Sequence, residues 1–108
     1  MILSVKREFW GYILDGSKTV EIRRGRRYRS VVPGTVLTIN RRRYVAVDVQ
    51  AYPSRRSMVL AFRDRWRDVA PWCRGWRSFR DAVYNFFSDG EMYAIEIAPE
   101  KTTRRRTF

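Results

Sequence analysis

Apolar residues fall into eight short segments, five spaced like half-buried strands and three like amphipathic helices. Ile2 to Lys6 predicts a short first strand. In Arg7 to Leu14, Phe9, Trp10, Ile13 and Leu14 share one side of a 3.6-residue wheel. Asp15-Gly16 stops that helix, with a glycine suited to the left-handed closing position. Thr19 to Arg23 alternates as a strand, with Val20 and Ile22 on one face and Thr19, Glu21 and Arg23 on the other. Pro33-Gly34 signals a turn. Strands follow at Thr35–Ile39 and Tyr44–Val49, joined by the basic tip Asn40-Arg41-Arg42-Arg43, and Val45, Val47 and Val49 share one face. Ser57 to Val69 predicts one helix, carrying Val59, Phe62, Trp66 and Val69 as a stripe that mostly leaves out Arg63, Arg65 and Arg67; Pro71 ends it. Trp76 to Phe87 repeats the pattern through Trp76, Phe79, Val83 and Phe86. A turn at Ser88-Asp89-Gly90 leads to a last strand, Met92–Ala98, in which Met92, Ala94 and Glu96 alternate with Tyr93, Ile95 and Ile97. The order β-α-β-β-β-α-α-β does not favour βαβ units. It predicts an α+β fold, a small mixed or closed β-sheet with helices packed across it.

At 108 residues the chain is read as one domain over positions 1–100, with Lys101 to Phe108 as a flexible basic tail. A hydrophobic content of 44% excludes a disordered chain. Charge changes the picture more. The 23 Lys+Arg against 11 Asp+Glu give a net +12, and only Lys6, Lys18 and Lys101 are lysines. A domain this basic expects a polyanion, because neutralised phosphates release condensed counterions. Arginine suits RNA or single-stranded nucleic acid, since its planar fork pairs with phosphate and stacks on bases. An anionic membrane, an acidic protein, or compositional bias without function are the alternatives. The absence of His removes Ser/His and Cys/His nucleophile pairs and His-ligated metals. The one cysteine, Cys73, excludes an internal disulfide and a Cys-cluster zinc site, and it fits a reducing cytoplasm. No metal or cofactor is implied. No apolar run approaches the ~20 residues of a membrane span, and Met1–Val5 is too short for a secretory leader. Scarce Asn and Gln fit a hot habitat.

The most informative stretch is Gly16-Ser17-Lys18-Thr19-Val20-Glu21-Ile22-Arg23. Gly16 allows a tight helix exit. Lys18 stands at the loop-to-strand junction, where its ammonium can project into solvent or a cleft. Glu21 and Arg23, two apart on one strand face, line the same surface, and a carboxylate between two cations is held ionised. Lys18 can bind a phosphate or polarise a carbonyl. Glu21 can act as a base or merely orient its neighbours, and a surface salt-bridge ladder is the plain alternative.

This segment matches the G-x-K-x-x-E-x-R pattern of the ASCH domain family, a PUA-like β-barrel group. The Leu3–Lys6 strand, the following helix, Pro33-Gly34 with its apolar strand, and Tyr93–Ile97 also resemble that family. The Arg- and Trp-rich helices between them do not. The resemblance implies a PUA-like mixed barrel and a cleft for RNA or a nucleotide-like ligand, lined by Lys6, Lys18, Glu21 and Arg23. Some relatives are amidohydrolases on N4-acetylcytidine and others have been linked to ribonuclease activity. In the amidohydrolase branch the position of Lys18 is the catalytic lysine, but a Thr nucleophile stands where this chain has Glu21. An enzyme of this kind would rely on Lys18 and Glu21, with Tyr93 as a further candidate.

Other residues extend the reading. Arg24, Arg26, Arg27 and Arg29, with Arg41, Arg42 and Arg43, form tracts suited to gripping phosphates. Trp72, on a loop, and Tyr28 and Tyr44, interleaved with arginines, are candidate stackers for splayed bases, or else core. Trp10, Trp66 and Trp76 lie on apolar stripes and read as core. A protein-interaction domain using the Trp-rich helices is the third alternative.

Overall fold

The computed structural model describes residues 1–101. Its elements in chain order are β1 (Ile2–Leu3), α1 (Arg7–Leu14), β2 (Val20–Arg24), a 3-10 turn (Arg26–Ser30), β3 (Val36–Ile39), β4 (Arg42–Tyr52), α2 (Arg55–Ala61), α3 (Trp66–Val69), α4 (Trp76–Phe86) and β5 (Met92–Pro99). Beyond Lys101 the expected basic tail, with Arg104, Arg105 and Arg106, lies outside the described residues. The strands form one sheet in the order β1-β3-β4-β5-β2, parallel between β1 and β3 and antiparallel elsewhere.

The alternation in β5 serves two cores. Tyr93, Ile95 and Ile97 join Leu3, Leu37, Ile39, Tyr44 and Ala46, closed over by Ile13 of α1 and by Tyr28 and Val31. Met92 and Ala94 join Val20 and Ile22 of β2 on the other face, under Met58, Val59, Phe62, Phe79 and Val83 of the helical layer. The protein is therefore an α+β structure of three layers. No helix among the described residues is long and apolar enough to cross a membrane.

Four local expectations need correction. The 57–69 helix is two helices starting earlier, because Ser54 caps α2 in a reciprocal capping box with Ser57 and the chain leaves the helix at Phe62. The apolar stripe survives the break, since Val59, Phe62, Trp66 and Val69 all pack in the same core. The three valines of β4 do not share a face. A bulge between Ala46 and Asp48 inserts Val47 as an unpaired residue and reverses the alternation, so Tyr44 and Ala46 point into the core before it and Val49 after it. β1 stops at Leu3, and its continuation pairs with a side chain instead: Asn40 accepts from Val5 N and donates to Val5 O, both at 2.9 Å. Nor is the barrel closed. β1 and β2 are the two free edges of the sheet, with no ladder between them among the described residues.

Asn40 also occupies a left-handed conformation, φ 47°, in the two-residue turn that it forms with Arg41 at φ 72°. Asn40→Ala removes both bonds and strains the turn, and is expected to lower stability by about 2–4 kcal/mol, at ~1 per hydrogen bond and ~1–2 for the backbone. Asn40→Gly, which accepts positive φ, should lose clearly less. Urea unfolding of the two variants measures both losses.

Candidate functional site

The free edge of β2 lines a cleft of about 280 Å³, with the β1–α1 connection on one side and α3–α4 on the other. Its local architecture follows from the helix exit. Gly16 adopts φ 83°, the Asp15 carboxylate accepts from Ser17 N at 2.8 Å and Ser17 Oγ at 2.6 Å, and Lys18 N bonds back to Tyr12 O. These bonds hold the Asp15 carboxyl below its ordinary pKa. Thr19 N then docks on Asp68 O, so β2 enters the sheet against α3.

The register of β2 against β5, with Ile97 N donating to Thr19 O, turns the backbone groups of Val20 and Ile22 away from β5 toward the cleft. Side chains of the same segment cover this edge. Lys18 Nζ donates to Val20 O and to Val69 O, each at 2.7 Å, and lies 3.5 Å from Glu21 Oε1. Glu21 Oε1 accepts from Ile22 N at 3.1 Å. Arg23 Nη2 donates to Glu21 Oε2 at 3.0 Å and to Ser4 O at 2.9 Å, tying β2 to the connection that follows β1. Lys18 and Glu21 are only 5% and 7% exposed. Burial holds the Lys18 ammonium below its ordinary pKa; Glu21 opposes this and Arg23 adds to it.

The cleft brings together Lys6, Lys18, Glu21 and Arg23, the four residues singled out from the motif and first strand. Lys18, however, does not project into open space, because two carbonyls and Glu21 hold it in the floor. Lys6 stands at the mouth, its Nζ 4.8 Å from the centre of the Phe86 ring. Trp72 lines the cleft, partly exposed, and stacks on Phe9 at 4.4 Å. Tyr93 does not line it: its side chain is in the inner core and its hydroxyl donates to Glu91 at 2.7 Å. Burial and the Glu91 bond both raise the Tyr93 pKa. Tyr28 and Tyr44 are buried in that same core, so neither offers a face to a base. Among the basic tracts, Arg24 donates to Asp89 O, Arg29 pairs with Glu91 and Arg43 with Glu100, while Arg26, Arg27, Arg41 and Arg42 remain exposed.

Sequence reasoning missed that the cleft is chiefly apolar. Phe9, Phe86 and Phe87 wall it with Trp72, and Ile22 lends it a strand edge. Phe9 and Phe86 sit on apolar stripes like core residues, and only the exposure of Phe86, at 56%, betrays a different use. Among the described residues no cluster of three or more His, Cys, Asp or Glu could hold a metal ion.

The sequence matches no family model and no curated protein. Solved structures share the fold. The crystal structure of hypothetical protein PH0355 aligns with a TM-score of 0.77 at 18% identity, covering 92% of this chain and 97% of that one. The solution NMR structure of protein PF0455 from Pyrococcus furiosus aligns with a TM-score of 0.69 at 21% identity, covering 94% and 97%. The likeness is one of fold, and it spans nearly the whole of each chain.

Lys18→Met leaves the Val20 and Val69 carbonyls without their buried donor and Glu21 with Arg23 as its remaining cation, so it should lower stability by about 2–5 kcal/mol. Glu21→Gln should cost less in that background than in the wild type, with a coupling of about 0.5–3 kcal/mol in a double-mutant cycle read by urea unfolding. The pH dependence has a sign. Between the lowered folded pKa of Lys18 and its ordinary value the unfolded chain binds more protons, so this group's contribution rises with pH. The stability gap between wild type and Lys18→Met should therefore widen from neutral toward alkaline pH.

Proposed function

We propose that the protein binds RNA or single-stranded nucleic acid, taking one unpaired base into the cleft along β2 while exposed arginines hold the phosphates. The observation that carries this reading is an apolar slot walled by Phe9, Trp72 and Phe86 whose floor is the Lys18–Glu21–Arg23 ionic group. An aromatic wall offers stacking to any base. The Ile22 C=O on the free edge and the Arg23 guanidinium supply one acceptor and one set of donors for a base edge. Lys6 at the mouth and the neighbouring arginines favour an anionic ligand over a neutral one. The resemblance of Gly16–Arg23 to the ASCH motif supports assignment to that family, with the mixed five-stranded sheet standing in place of a closed PUA-like barrel.

Binding is preferred to hydrolysis of RNA or of N4-acetylcytidine on a geometric ground. A catalytic amine needs a free lone pair or an approachable proton, and Lys18 Nζ is engaged by two carbonyls at 2.7 Å. Tyr93, the third catalytic candidate, lies outside the cleft. Binding is also preferred to a protein-interaction role, because Trp10, Trp66 and Trp76 are half-buried rather than displayed.

Fluorescence anisotropy of a labelled single-stranded RNA tests the proposal. If about six phosphates are neutralised, log K should fall with log salt at a slope of roughly −4. Trp72→Ala should weaken binding by about 1–3 kcal/mol. A flat salt response, or an unchanged affinity in Trp72→Ala, would sink the reading. Release of a cleavage product from RNA, or of acetate from N4-acetylcytidine, would favour the enzyme instead.

A further inference from the structure

We infer that the outer face of α2–α4 is a second phosphate-binding surface, indifferent to base identity and built from guanidiniums set over tryptophan rings. The inference rests on the nucleic-acid reading above and adds a site to it. Residues 55–81 hold eight Arg against three Asp, which is five of the chain's net +12.

The guanidiniums of this face are organised. Trp76 is fixed by its Nε1, which donates to Val59 O at 2.8 Å and ties the start of α4 to α2. The Arg63 and Arg80 guanidiniums lie 5.3 and 5.4 Å from the centre of that one indole ring, so cations from two separate segments are set against a common support. Arg67 lies 4.8 Å from the Trp66 ring. Arg63 and Arg67 have no carboxylate partner among the described residues, whereas Arg80 pairs with Asp81 at 3.2 Å.

A guanidinium held over an indole ring keeps N–H groups at its rim, where a phosphate can take two of them. This placement also restricts a side chain that otherwise loses much rotamer entropy on binding. The indole faces on which the arginines lie are correspondingly less open to a base, so this surface recognises the backbone and not the sequence. In the loop tracts Arg24, Arg29 and Arg43 are each bonded to another part of the fold, which leaves Arg26, Arg27, Arg41 and Arg42 for phosphate contacts of their own. Continuity decides between a nucleic-acid strand and an acidic protein: α4, about 16 Å long, lines the cleft with Phe79, Val83 and Phe86 and carries Arg80 beside Trp76. A strand whose base enters the cleft reaches this face by crossing one helix.

Salt titration of single-stranded RNA binding to the full chain provides the test, with nucleoside binding to the cleft followed in parallel. Arg63→Gln with Arg80→Gln should weaken RNA binding by roughly tenfold and make the salt slope shallower by about 1.4, at ~0.7 per phosphate lost, with nucleoside binding unchanged. Arg63→Lys with Arg80→Lys should keep the slope and recover only part of the affinity, because an ammonium lacks the fork. A folded double Gln variant with unaltered slope and affinity would overturn this inference and leave the cleft reading intact. A wild-type protein that binds no RNA would overturn both. Poly-glutamate bound through these arginines in place of RNA would reassign the face to an acidic protein.

Discussion

The contact on which the rest of the structure depends is the reach of Arg23 across the open side of the sheet, to Ser4 just after β1 and back to Glu21 on its own strand. β1 and β2 are both edges, and among the described residues no ladder joins them. The guanidinium holds them at a distance set by one side chain, and the resulting gap is the cleft. Glu21 orients Arg23, Lys18 balances Glu21, and Lys18 in turn draws the end of α3 onto β2 through Val69 O. A change at any of the three moves a wall of the cleft as well as a charge in its floor. Fold and site are therefore not separable here, and each probe of one has to be read against the stability of the other.

Periodic features were the legible part of the fold. The two-faced alternation of β5, the left-handed exit at Gly16 and the α1 stripe apart from the exposed Leu14 were visible because each depends on neighbours in sequence. The bulge at Val47 was not. Nothing in Tyr44–Val49 distinguishes an extra residue from a regular one until β5 is laid beside it. Asn40 was equally hidden, read as a turn residue when its carboxamide also substitutes for strand backbone at Val5. At the site, the residue types and their spacing pointed to Lys6, Lys18, Glu21 and Arg23. The burial of Lys18 and Glu21 was not legible, because it depends on contacts with segments remote in sequence, such as Val69 of α3. Tyr93 was misplaced for a related reason: its strand is central, and one of its faces belongs wholly to the core.

The distribution of charge carries a second lesson. A net +12 invites the view that every arginine faces solvent and waits for a phosphate. Many instead serve the fold. Arg55 donates to Tyr84 O and Phe87 O, binding the end of α4 to the start of α2, and Arg24 fastens the turn before β5 through Asp89 O. Guanidinium suits such work because it satisfies several carbonyls at once without being deprotonated. Composition bounds the class of partner, whereas the bonding pattern says which cations remain to meet it.

The self-covered edge of β2 has a consequence for solution behaviour. An exposed strand edge is a template on which another chain can add its own strand, the first step toward aggregation. In this protein Lys18 covers the Val20 carbonyl and Glu21 covers the Ile22 amide, while the charge of both discourages an apolar strand from approaching. The ionic group thus guards the chain against polymerising with itself along the very line on which the cleft is built. An extended peptide approaching this edge meets two backbone positions that are already occupied.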